Sequence, residues 1–173
     1  MGSATIDSTR RRFLRGALRQ GPPTVRPPWT DDDRLAAACT RCNACVTACP
    51  EGVLRIGDGG FPQLDPRAGS GGCSFCGACA TACAEPVFDR TLTPALPVRV
   101  AVAEADCLAH AGIHCEICRD ACPVSAIGFA RTTGRIAIPA VVADACTGCG
   151  ACIGPCPASA LSLTAVQAGG RAA

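Results

Sequence analysis

Apolar residues along this chain come in short bursts broken by Gly, Pro and polar turns. Residues 53–65, VLRIGDGGFPQLD, hold two such bursts around a Gly-rich turn and predict a β-hairpin, as does AIGFARTTGRIAI at 126–138. The stretch 87–106, VFDRTLTPALPVRVAVAEAD, contains Pro94 and Pro97, lacks a Gly turn, and reads as a linker followed by a fresh strand at Val98 to Ala103. Asp31-Asp32-Asp33 ahead of Leu35 to Ala38 predicts a helix start, with acids in the first turn. Upstream, residues 1–34 are basic and then Pro-rich, and read as an extended arm with one helical turn around Phe13 to Leu18. The closing residues 166–173, VQAGGRAA, read as a frayed tail. No burst approaches the roughly 18 apolar residues of a membrane-crossing helix.

The bursts repeat because the cysteines do. Sixteen of the 173 residues are Cys, in four groups: Cys39, Cys42, Cys45, Cys49; Cys73, Cys76, Cys79, Cys83; Cys107, Cys115, Cys118, Cys122; and Cys146, Cys149, Cys152, Cys156. Each group is 23 residues from the next, and each is followed by a related tail: CPEGVLRI, CAEPVFDR, CPVSAIGF, CPASALSL. The tails predict a turn and then a short strand after every group. This is a fourfold internal repeat. Tight grouping without a working signal peptide favours metal over a disulfide-stapled secreted scaffold.

Three groups read C-x2-C-x2-C-x3-C, the ligand run of bacterial iron–sulfur proteins, in which the fourth Cys serves the neighbouring cluster. Three thiolates on a tight loop wrap one face of a cubane, and the fourth points away. The expected ligand sets follow. Cluster one takes Cys39, Cys42, Cys45 and Cys83, and cluster two takes Cys73, Cys76, Cys79 and Cys49. Cluster three takes Cys107, Cys115, Cys118 and Cys156, and cluster four takes Cys146, Cys149, Cys152 and Cys122. The expected cofactors are four 4Fe–4S clusters held by these sixteen Cys through iron. Zinc is the rival reading, since paired C-x2-C can hold it, but zinc does not need a third and fourth Cys at these intervals. Pairing groups one with four and two with three has the same spacing cost and stays open. The hairpins and the Pro-broken connector favour one with two and three with four. Group two has Ala84 where the others have Pro50, Pro123 and Pro157.

The fold class that follows is α+β: two tandem bacterial-type dicluster ferredoxin-like domains, each with short β-hairpins and short helices around two clusters. Their expected limits are 35–92 and 97–165, joined by a linker at 93–96. Group three is stretched, with LAHAGIH between Cys107 and Cys115, and that loop carries both histidines of the chain. His110 and His114 read as exposed loop residues beside a normal four-Cys site; a ligand or proton-coupled role is the sharper alternative. Gly77, Gly148 and Gly150, inside the cysteine loops, read as close backbone approach to a cluster. No Rossmann fingerprint, P-loop or Ser/His/Asp grouping accompanies the cysteines, so the expectation is an electron-handling protein and not an enzyme.

Charge divides the chain. Formal net charge is +2, yet residues 1–30 carry six Arg against Asp7 alone, and 31–173 carry ten Arg against thirteen acids. Each oxidised four-thiolate cluster adds about two negative charges to that acidic body. A basic arm on an acidic body, with few stacking aromatics, points to protein partners and away from nucleic acid. Thr9 to Arg15, TRRRFLR, matches a twin-arginine export signal, but Arg19 and Gly21-Pro22-Pro23 follow where an apolar stretch should stand. The expectation is a cytoplasmic protein whose Arg10, Arg11, Arg12 and Trp29 dock an acidic partner. The alternative is a tail lying on its own body.

The Arg-Arg arm, RPPW at Arg26 to Trp29, the TRCNAC opening, the GGFP turn, CSFCGACATAC and the stretched C-x7-C resemble the NapF-type ferredoxins, over nearly the whole chain. The resemblance implies an accessory iron–sulfur protein of the periplasmic nitrate reductase system. It implies a partner, the precursor of the molybdenum-containing catalytic subunit, and a role in maturing it before export by electron transfer or cluster loading. The competing class is a soluble polyferredoxin carrier, or an electron-transfer subunit of a cytoplasmic oxidoreductase.

Overall fold

The computed structural model describes residues 24–69, 71–93, 96–130 and 136–166. All of the expected tail but Val166, and residues 1–23 of the arm with its expected turn at Phe13 to Leu18, lie outside the described residues. Helix α1 spans Asp32–Ala38, and Asp31 caps it by accepting the Arg34 N–H at 2.8 Å. Three one-turn helices then sit inside cysteine groups: α2, Ala44–Thr47; α3, Ala78–Thr81; and α4, Ile117–Asp120. The third Cys of each group lies within that turn and the fourth follows its C-terminal end.

The first expected hairpin forms, and the strands of the second pair as well, though its return strand begins only at the last residue of the expected span. Strands β1 (Leu54–Ile56) and β2 (Pro62–Leu64) pair antiparallel, Leu54 opposite Leu64, across a 3-10 turn at Asp58–Gly60. Strands β4 (Ile127–Ala130) and β5 (Ile138–Val141) pair with Ile127 opposite Val141. The fresh strand β3 (Val98–Val102) pairs with the distant β6 (Leu161–Ala165), Val98 opposite Ala165. The strand expected after group two is absent. Residues 85–93 form turns and bends instead, because other contacts hold this backbone. The Asp89 N–H donates to the Trp29 carbonyl at 2.8 Å, while its carboxylate accepts from Arg34 at 2.9 Å and the Thr91 hydroxyl at 2.6 Å.

The expected arm also ends earlier than its composition indicated. Residues 25 and 27–30 are buried, with Pro27 and Pro28 among the most deeply buried side chains. This strap is stitched down by the Leu64 N–H, which donates to the Val25 carbonyl at 2.7 Å, and by Arg26, which pairs with Asp32 at 2.6 Å. Proline buries here at low cost, since it has no N–H to leave unpaired. One continuous apolar core runs through both halves, from Val25, Val53 and Leu64 to Val100, Ile153 and Leu163.

Candidate metal centres

Four cavities in the fold are each lined by four cysteines. The first holds Cys39, Cys42, Cys45 and Cys83. The second holds Cys49, Cys73, Cys76 and Cys79. The third holds Cys107, Cys115, Cys118 and Cys156, and the fourth Cys122, Cys146, Cys149 and Cys152. In every case three cysteines come from one group and the fourth from its partner group. Group one meets two and group three meets four; the exchange between one and four, left open by spacing alone, does not occur among these cavities.

Each cavity has an apolar wall built by a signal the cysteine count overlooked. The two residues four and five positions past each fourth Cys line the same cavity as that Cys. Val53 and Leu54 wall the second, Val87 and Phe88 the first, Ala126 and Ile127 the fourth, Ala160 and Leu161 the third. The recurring tails contain these residues. Their strand-like appearance concealed that they serve the metal cavity.

None of the sixteen cysteines is paired in a disulfide. Their settings differ. Cys42 and Cys76 are exposed, whereas Cys45, Cys79, Cys149 and Cys152 are buried. Burial pushes Cys73, Cys79 and Cys118 up to about 11 and Cys152 to about 12, with neighbouring thiols adding to the rise. Cys42 runs the other way: the backbone N–H of Ala44 holds its thiol below the ordinary value. The Ala126 N–H points at the Cys122 sulfur at 3.2 Å and the Arg41 N–H at Cys39 at 3.4 Å.

The donor set fits an iron–sulfur cubane. Thiolate is the ligand such clusters take, the walls are apolar, and no carboxylate lines the first, third or fourth cavity. Among the described residues, no three His, Cys, Asp or Glu side chains converge closely enough for a single metal ion. A tetrahedral zinc site, with sulfur at about 2.3 Å, therefore matches less well than a group with several metal corners. A thiol must lose its proton to become a ligand. Iron uptake by the metal-free chain should therefore release protons and speed up as pH rises from 6 to 9, measurable by acid release in weak buffer.

Trp29 departs from its expected docking role. Only 9% exposed, it lines the second cavity with Pro28, meets Phe75 edge-on at 6.2 Å, and carries the Arg90 guanidinium 5.3 Å above its ring. An indole so enclosed cannot present itself to a partner. Trp29→Ala should cost about 3–5 kcal/mol. It should also hasten bleaching of the second site in air, read from visible absorption. Arg10, Arg11 and Arg12 lie outside the described residues.

The histidines stand apart from the sulfur. Neither lines the third cavity; His114 is exposed, with its Nε2 3.9 Å from Glu116. Gly77, Gly148 and Gly150 have positive φ, and a Cβ on them would meet Arg90, Val98 and Pro66 respectively. The close approach is thus to protein. Among the described residues no helix is long and apolar enough to cross a membrane.

A family model described as the 4Fe–4S dicluster domain matches residues 38–87 and 113–160. The first match spans groups one and two. The second begins past Cys107, inside the stretched loop. The ferredoxin-type protein NapF of Escherichia coli K12 is 38% identical over 164 residues, covering 94% of this chain and 98% of that protein. NapF of Haemophilus influenzae is 41% identical over 167 residues, covering 89% of this chain and 92% of its own length. The methylamine utilization ferredoxin-type protein MauM of Methylorubrum extorquens is 35% identical over 156 residues, 81% of this chain and 71% of that one. With its two 4Fe–4S dicluster segments, this chain belongs to the NapF-type ferredoxin family.

Proposed function

We propose that the sixteen cysteines hold four 4Fe–4S clusters, one in each cavity, and that the protein handles single electrons in the cytoplasm while assisting maturation of the periplasmic nitrate reductase catalytic subunit before its export. The observation that carries the cluster assignment is the convergence of four thiols on each of four apolar-walled cavities. When bound, a 4Fe–4S cluster supplies a one-electron couple tuned by its hydrogen bonds and solvent exposure. The chain's own residues bring the thiolates together, aim N–H groups at Cys39 and Cys122, and exclude water from the more buried corners. The proposed domains are 35–92 and 97–165 with the linker at 93–96, the strap at 24–30 counting with the first.

The maturation role rests on the family and on the charge division between basic arm and acidic body. The proposed docking groups are now Arg10, Arg11 and Arg12, without Trp29. An anaerobic pull-down from nitrate-grown cells tests it, comparing the whole chain with one beginning at Thr24. A cut further in would remove Val25 to Trp29 and damage the core. Recovery of the unexported catalytic subunit by the whole chain only would support maturation and place docking on the arm. The similarity to MauM favours a second reading, a carrier serving another oxidoreductase. Recovery of such an enzyme, or of no stable partner, would support that reading and remove the first.

A further inference from the structure

The two halves meet at one closely fitted seam, and it falls between two cysteines. The Cys73 N–H, in the wall of the second cavity, donates to the Cys149 carbonyl oxygen, in the wall of the fourth, at 2.8 Å. Beside it Gly72 is buried at φ +79, where a Cβ would stand 2.7 Å from both the Ala151 Cα and the Cys149 oxygen. Across the same seam Gly150 packs on Pro66, with room for no Cβ, since one would lie 2.6 Å from the proline's Cβ. Arg67 fastens the margin, donating to the Ser159 hydroxyl at 3.2 Å and the Leu161 carbonyl at 3.0 Å. Cys149, Ala151, Cys152 and Ile153 are all buried. No comparable backbone bond joins the first or third cavity to the other half among the described residues.

We propose that this seam makes the second and fourth metal sites electronic neighbours, so that the four sites form one series in the order first, second, fourth, third. The inference rests on the sixteen-thiolate assignment made above. The shared cysteines Cys49 with Cys83 and Cys122 with Cys156 interlock the sites within each half. Gly72-Cys73 and Cys149-Gly150 supply the missing connection. Exchange across it is a one-electron step in which one site is oxidised as its neighbour is reduced, with no proton or atom changing place. A hydrogen-bonded backbone is an effective bridge for this, and the glycines let the two backbones touch. The order differs from the order along the chain. The ends of the series are the first site and the third, the latter beside the stretched loop, while Cys42 of the first and Cys76 of the second are the exposed cysteines.

The test is low-temperature EPR on the full-length protein reduced anaerobically with dithionite, comparing the parent with Gly72→Ala and Arg67→Gln at matched iron and sulfide content. Magnetic splitting between neighbouring reduced sites should be present in the parent, and its seam component should be lost in Gly72→Ala and weakened in Arg67→Gln. Variants that keep full iron and give the parent spectrum unchanged would overturn the proposal. Should Gly72→Ala take up iron poorly, Arg67→Gln, altered only at an exposed side chain, decides on the same readout. A parent protein well short of about sixteen iron per chain would instead count against the four-cluster assignment itself.

Discussion

Stripping iron from this protein without oxygen should unfold it. The core explains why. Its most deeply buried side chains are Leu35, Val53, Val87, Pro27 and Pro28, and there is no Tyr and one Trp to fill volume. Burying a Val or Leu contributes about 1.5–3 kcal/mol, and ordering the chain costs about 1–2 kcal/mol per residue in backbone entropy alone. Net stability of a domain is typically about 5–15 kcal/mol. Structural zinc, the best measured case, contributes about 10–16 kcal/mol per site. Loss of several sites of even half that value exceeds what the core holds in reserve. Removal should abolish the cooperative thermal transition and shift Trp29 emission to the red as its contact with Phe75 is lost. A metal-free chain that still melted cooperatively, with Trp29 emission unchanged, would contradict this account.

Gly148→Ala should be among the most damaging small substitutions in the molecule. Gly148 is buried with φ +72, and an added Cβ would press into the Val98 carbonyl oxygen and lie 2.9 Å from the Val98 Cγ2. The obstacle is a paired strand, so no side chain can swing aside. Left-handed backbone costs an ordinary residue about 1–2 kcal/mol, and overpacking a tight site adds about 1–3 kcal/mol. A total near 3 kcal/mol, with the fourth site emptied first, is expected. Gly112→Ala separates the two contributions: φ is +82 there, yet nothing lies within 4 Å of the added Cβ. It should cost only the left-handed penalty, about 1 kcal/mol. Urea midpoints and iron content measured on both variants check the difference, and equal losses would refute the clash argument.

The cysteine spacing made the four-cysteine cavities legible in the sequence, since such a run shapes its own loop whatever surrounds it. The first hairpin was legible too, because its turn is local, whereas the return strand of the second falls later than its sequence pattern put it. What spacing left open was partnership across distance. Val98 to Val102 alternates as a strand should, but alternation states a face and not a neighbour, and only the fold pairs it with Leu161 to Ala165. The buried strap was hidden for a different reason. Basic and Pro-rich composition ordinarily marks solvated chain, yet Pro27 and Pro28 bury well because they carry no amide hydrogen to satisfy. Residues 84–90 imitated their sister tails closely enough to predict a strand. The Asp89 contacts with Trp29 and Arg34 prevent it.

The pairing of β3 with β6 has a consequence for how the protein comes into being. Residues lining the first two cavities are all synthesised once the chain passes Phe88, so that half can close while translation continues. The other half cannot. Val98 must wait for Ala165, and Cys107 for Cys156, before sheet or cavity is complete. Pairings so distant in sequence form slowly. Assembly in two instalments is the expected result, with the front cavities able to close while the thiols behind them still stand open to oxygen and stray metal, and the Cys73–Cys149 contact made last.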